Sequence, residues 1–159
     1  MPDDIAGLVD AVRRHYDDGC FACGRDNPIG LHLDDFRVDD REVSARFTPR
    51  PEYRGAGKAL HGGVAATALD EILVWAGILT EGVLTVTGNL GLRYHRPVHV
   101  DELIVVSATV DNRSGRRLEM SGELMVGDEP RVRASGLYLV TASVEEMLAG
   151  HTASTERST

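Results

Sequence analysis

His61-Gly62-Gly63-Val64-Ala65-Ala66-Thr67-Ala68-Leu69-Asp70-Glu71 decides the reading of this chain. A His-Gly-Gly turn opens an apolar helix, and two adjacent carboxylates stand in that helix. The amides at a helix start lack intrahelical acceptors and can hold a developing oxyanion. A carboxylate inside an apolar helix is costly unless it is used. The combination points to acyl-group chemistry.

Working outward, the helix runs from about His61 to Glu81 and is closed by Gly82. Ala65, Ala66, Ala68, Leu69, Ile72, Leu73, Trp75, Ala76, Ile78 and Leu79 make it apolar almost all round, as in a helix buried in a core. Before it, Pro49, Pro51, Gly55 and Gly57 mark a loop over 49–60. Strands are expected near 31–38 and 42–48, the second alternating Val43, Ala45 and Phe47 with polar residues. A short amphipathic helix is expected over 5–16, followed by a turn-rich stretch from Gly19 to Gly30. Beyond the helix the period changes to two. Leu90, Leu92 and Tyr94 alternate with polar residues, 103–110 reads as a continuous apolar strand, and two further strands carry Leu118, Met120, Leu124, Val126 and Val132, Ala134, Gly136, Tyr138 on one face each.

Strands this close in sequence pair mainly antiparallel, because parallel pairs need long crossovers. The fold class is therefore α+β, with a curved antiparallel sheet wrapped around a long central helix. The expected organisation is an N-terminal helix over 1–18, one domain over 19–142 and a polar, disordered tail over 143–159.

The 159 residues suit one domain with a real core. A net charge of −8 argues against nonspecific nucleic-acid binding. No signal-peptide core follows the acidic N-terminus and no apolar run is read as membrane-spanning, so a cytoplasmic protein with no membrane partner is expected.

Helix geometry sharpens the motif. His61 and Asp70 are nine residues apart, so they point about 180° apart and lie about 13.5 Å apart along the axis. Gly63 and Asp70 share a face but are separated by about 10 Å. A reacting group needs its oxyanion donor and its base each about 3 Å away. If both ends serve one site, the second end comes from another chain, and a two-fold dimer with antiparallel helices supplies it twice. For Glu71 an exposed helical edge is the plainer reading, and for the His61 ring a bond to a backbone carbonyl.

His61-Gly62-Gly63 with Asp70-Glu71, then Thr87-Gly88-Asn89-Leu90-Gly91-Leu92-Arg93-Tyr94-His95-Arg96-Pro97-Val98, resembles a hotdog-fold acyl-CoA thioesterase. The resemblance is to the phenylacetate-degradation branch of the 4-hydroxybenzoyl-CoA thioesterase superfamily. Cys20-Phe21-Ala22-Cys23-Gly24, Asn27-Pro28-Ile29-Gly30-Leu31 and Gly115-Arg116-Arg117 resemble the same group, so the likeness runs from about Cys20 to Ala142. It implies a homodimer with sites at the interface, and leaves open a further pairing into a homotetramer. It implies that the Gly63 amide, with Gly62, polarises a thioester carbonyl while Asp70 of the facing chain acts as base or nucleophile. It implies that Thr87 holds the water, with Thr85 as a competitor for that role. Many relatives carry an Asn before the His; here Tyr53-Arg54-Gly55-Ala56-Gly57-Lys58 stands there, one polar contact fewer.

The expected reaction is hydrolysis of an acyl-CoA or acyl-carrier-protein thioester to acid and thiol. A (de)hydratase recruiting His61 and a non-catalytic acyl-CoA binder are the alternatives. Coenzyme A phosphates need cations, and Asn89, Arg93, Arg96, Arg116 and Arg117 are the candidate contacts. Trp75, Leu79 and the 49–60 loop are candidates for the acyl pocket. Cys20 and Cys23 with His15 and His32 offer a zinc set on paper. A closed site needs four ligands and no second Cys pair exists, so a tight turn lining the acyl pocket is the expected role. No metal is expected, and no cofactor beyond coenzyme A as part of the substrate.

Overall fold

The computed structural model describes residues 4–155, with side chains described for residues 4–150. The elements are α1 (Ile5–His15), β1 (Asp34–Asp39), β2 (Glu42–Phe47), α2 (Gly62–Glu81), β3 (Val83–Tyr94), β4 (Ile104–Ser114), β5 (Arg117–Val126), β6 (Glu129–Ser143) and α3 (Val144–Thr155). The strands form one six-stranded sheet in the order β1-β2-β4-β5-β6-β3. Every pairing is antiparallel.

The period-two pattern explains the sheet. Val43, Ala45 and Phe47 of β2, Ile104, Val106, Ala108 and Val110 of β4, Leu118, Met120 and Leu124 of β5, and Val132, Ala134 and Tyr138 of β6 are buried on its inner face. Against them lies α2, which buries ten residues, including Leu69, Ile72, Leu73, Trp75, Ala76 and Leu79. The helix stops at Gly82, where φ is +64° and the amide donates back to Gly77 O. A side chain at this left-handed position costs about 1–2 kcal/mol. The turn sends the chain directly into β3, which puts the edge strand of the sheet beside the helix that precedes it.

The N-terminal segment folds back over the Trp75 side of α2. Arg13 is 2% exposed, donates through Nη2 to Leu33 O at 2.7 Å, and pairs with Asp34 at 3.2 Å. Its guanidinium lies 5.6 Å from the centre of the Phe36 ring, which packs on Trp75 at 4.5 Å between centroids.

Two expectations change. The tail expected to be disordered from residue 143 is helix α3 as far as Thr155, and Val144 and Met147 bury against the core. Two apolar residues at i and i+3 suffice to dock a short helix, a signal that a small, polar composition concealed. The remainder of that tail, 156–159, lies outside the described residues. Secondly, α2 is by length and composition long and apolar enough to cross a membrane, contrary to the reading of the runs. It is the core helix, with more than half of its apolar window buried by the rest of the chain.

Candidate active site

Asp70 lies on the α2 face turned toward β3 and β6. Thr87 Oγ1 donates to Asp70 Oδ1 at 2.7 Å, and Tyr138 Oη donates to the same oxygen at 2.7 Å. Thr87 and Tyr138 sit directly opposite one another in the β3–β6 ladder, so the register itself brings the two hydroxyls together. A bulge follows at once, between Thr87 and Asn89. Bulges re-aim side chains at the edges of sheets. Tyr138 is fully buried, and burial together with the Asp70 carboxylate pushes its phenol well above the ordinary range. It therefore remains a donor at any working pH. Among the described residues no donor reaches Asp70 Oδ2. The carboxylate is thus held by one oxygen and presents the other.

Of the two competing threonines, Thr87 makes the contact. Thr85 Oγ1 is buried and has no hydrogen-bond partner among the described residues.

The other end of the motif is built differently from the expectation. His61 is the N-cap of α2, and its Nδ1 accepts the Gly63 amide at 3.0 Å. The ring therefore meets an amide, not a carbonyl, and Nδ1 must be unprotonated to do so. The Gly63 amide, expected to be the oxyanion donor, is occupied by this cap. The Gly62 amide, at the first helical position, has no intrahelical acceptor. The Gly62 carbonyl accepts Tyr94 Oη at 2.6 Å, which ties the helix start to the end of β3. Upstream, Tyr53 O accepts the His61 amide at 2.9 Å.

Glu71 departs furthest from its expected place. It is no solvated edge but part of the wall of a cavity of about 560 Å³, lined also by Cys20, Cys23, Trp75, Ile78 and Thr85. The cause is the fold-back of the N-terminal segment over this side of α2. Trp75 Nε1 donates to Glu71 Oε1 at 2.9 Å, and Cys20 Sγ stands 3.7 Å from Oε2. Burial raises the Glu71 carboxyl to about 7. Leu79 and the 49–60 loop do not line this cavity, whereas Trp75 does.

The candidate cations do not converge within one chain. Arg93 and Arg96 lie at the far end of β3 from Thr87, with Arg93 about 20 Å along the strand. Arg96 pairs with Glu129. Arg116 and Arg117 flank the β4–β5 turn, where Arg117 faces Leu139, itself opposite Val86 near the Asp70 end. Asn89 is exposed just past the bulge. Neither proposed histidine joins the cysteines: His32 Nε2 is 2.6 Å from Asn27 O, and the cluster of possible ligands comprises Cys20, Cys23 and Glu71.

Sequence reasoning brought Asp70 and Thr87 together and missed Tyr138, which stood there only as a core residue. Its signal was a phenol on an otherwise aliphatic strand face, since a buried Tyr hydroxyl nearly always has a partner.

Residues 57–132 match the family model described as thioesterase superfamily. The chain is 30% identical over 122 residues to acyl-coenzyme A thioesterase THEM4 of Bos taurus, a match covering 75% of this chain and 50% of that protein. The chain thus spans about half the length of the curated relative it matches. Among solved structures it is similar to protein RHA08564, a thioesterase superfamily protein, with 26% identity and a TM-score of 0.71 over 77% of this chain and 60% of that one. It also shares its fold with smu.793 from Streptococcus mutans UA159, solved bound to acetyl CoA, at 15% identity and a TM-score of 0.63 over 69% of this chain and 91% of that one.

Proposed function

We propose that this chain, which belongs to the thioesterase superfamily through residues 57–132, hydrolyses an acyl-CoA thioester to free acid and thiol at a site shared between two copies. The observation that carries the reading is the pair of hydroxyls on one oxygen of Asp70, each at 2.7 Å. Two donors on one oxygen fix the orientation of this half-buried carboxylate and leave Oδ2 with no protein donor among the described residues. Here Oδ2 is left to accept a proton from water, or to attack a carbonyl carbon itself.

The oxyanion donor in this reading is the Gly62 amide, since His61 holds that of Gly63. As water adds to the carbonyl carbon, Asp70 takes its proton and the carbonyl oxygen gathers charge on the Gly62 N–H. Collapse of the tetrahedral adduct breaks the carbon–sulfur bond, and the thiolate leaves with a proton. In the covalent variant Oδ2 makes a mixed anhydride that water then opens.

Gly62 and Asp70 of one chain are about 12 Å apart along the helix, too far to share a carbonyl. A two-fold dimer supplies the missing half. The twelve-residue β3 supports it, because it closes the sheet with an unpaired edge carrying exposed Val86 and Tyr94. Long unpaired edges are covered in stable proteins. Antiparallel pairing there sets the Gly62 end of one copy beside the Asp70 end of the other. It also brings the Arg93–Arg96 group of one copy toward the Arg116–Arg117 group of the other, a divided cradle for coenzyme A phosphates. The name of the bovine relative and the acetyl CoA in the streptococcal structure support this substrate class.

The test is Asp70→Asn on a panel of acyl-CoAs with thiol detection. We expect kcat to fall by about 10²–10⁴-fold with the fold intact. Turnover within a few-fold of wild type rejects Asp70 as base or nucleophile. Binding with no thiol released by the wild-type chain from any acyl-CoA makes it a binder instead.

A further inference from the structure

We propose that Cys20, Cys23 and Glu71 form a binding site for a divalent cation of the zinc class. Their ligand atoms all lie within 4.8 Å of one another. The two Glu71 oxygens stand 3.8 and 3.7 Å from Cys20 Sγ, close to the ligand-to-ligand spacing of a tetrahedral centre with bonds of about 2.0–2.3 Å. The expectation of no metal rested on the lack of a second Cys pair. The fold supplies the third ligand from α2, fifty-one residues downstream of Cys20.

The turn is shaped for the task. Gly24 N–H donates to Cys20 O at 3.0 Å, and a Cβ on Gly24 would lie 2.3 Å from Asp18 O and 2.7 Å from Cys20 O. Only glycine lets the chain fold this tightly, and the fold aims both sulfurs at one point. The two thiols and one carboxyl that converge here are otherwise three acids in an apolar cavity. Arg13, the buried cation that lines the same cavity, has its terminal nitrogens on Leu33 O and Asp34 and makes no ion pair with Glu71 among the described residues. A divalent cation releases the thiol protons to the buffer and neutralises the cluster. The fourth position opens into the 560 Å³ cavity, toward water or a donor atom of a bound molecule.

Soft thiolates select zinc over magnesium or calcium. Bound there, it would clip the 20–24 turn to α2 at the residue next to Asp70, which makes it a positioning element and leaves the hydrolytic chemistry to other groups. The site stands or falls independently of the proposed reaction, because its test reads metal.

The test is titration of the reduced full chain with Co²⁺ and then Zn²⁺, under anaerobic conditions. We expect one equivalent of cobalt to give thiolate charge-transfer absorption in the near ultraviolet, which zinc displaces. Cys20→Ser and Cys23→Ser lose that absorption, and Glu71→Gln binds at least about tenfold more weakly. If the cysteine variants do not fold, the wild type decides alone, since saturating zinc must slow alkylation of Cys20 by iodoacetamide. The proposal is overturned by folded, reduced protein that gives no charge-transfer band, by Glu71→Gln binding as tightly as wild type, or by Cys20 alkylating equally fast with and without zinc.

Discussion

Replacing Gly62 with proline isolates one amide. Proline is favoured at the first helical position, where the N–H has no intrahelical acceptor. The residue before a proline must be extended, and His61 already is, with φ −61° and ψ 133°. A Cβ at Gly62 meets Tyr94 Oη at 3.4 Å, an ordinary contact. The Gly62 carbonyl keeps its bond from Tyr94. Gly62→Pro therefore removes the proposed oxyanion donor and little else. Loss of one such donor costs about 10²–10³ in kcat, or about 2.7–4 kcal/mol. Stability should change by less than about 1 kcal/mol, and in the favourable direction, because proline restricts the unfolded chain. The assay is steady-state thiol release from an acyl-CoA beside thermal melting, with Gly62→Ala, which keeps the N–H, as the control. A kcat within about threefold of wild type in the folded proline variant refutes the assignment, as does an equal loss in the alanine variant.

Two further outcomes follow from the same geometry. Thr87→Val and Tyr138→Phe each remove one hydroxyl from Asp70 Oδ1 and should each lower kcat by about 10- to 100-fold, the value of a hydrogen bond to a charged group; steady-state kinetics with melting as control checks this. Glu71 ionises near 7 in the folded chain against about 4.5 unfolded, so between those values the folded state binds more protons. Its contribution is present in full below about pH 4.5 and is lost as pH rises through 7, so metal-free Glu71→Gln should gain on wild type, by on the order of 2–3 kcal/mol at pH 8 in denaturant titrations, with no advantage at pH 4.

Most of the fold was legible because two periods announce themselves. The apolar run from Ala65 to Leu79 required burial on nearly all sides, and only a curved sheet provides that. The alternation in β2, β5 and β6 named the inner face, whereas β4, read as one continuous apolar run, shows its alternation only in the structure. The Asp70–Thr87 contact was legible through the resemblance, seventeen residues apart. Tyr138 was not, because its role depends on the β3–β6 register, which a bulge beside Thr87 fixes and no local pattern reveals. Glu71 was misread for a similar reason. A helix-face argument sees neighbours on the helix, whereas the segment that covers Glu71 begins about fifty residues upstream. The tie between the His61 ring and the Gly63 amide hangs on the His61 rotamer, a detail that Gly-Gly spacing cannot carry.

The central claim is that Gly62 and Asp70 serve one reaction from two different chains. It is tested by co-expressing Asp70→Asn and Gly62→Pro chains with different tags and isolating the mixed pair. One site of that pair then has both lesions and the other has neither. Each parent variant alone should be nearly inactive, and the mixed pair should recover about half of wild-type activity per dimer. A mixed pair as inactive as its parents, or a failure of the two chains to copurify, contradicts the account.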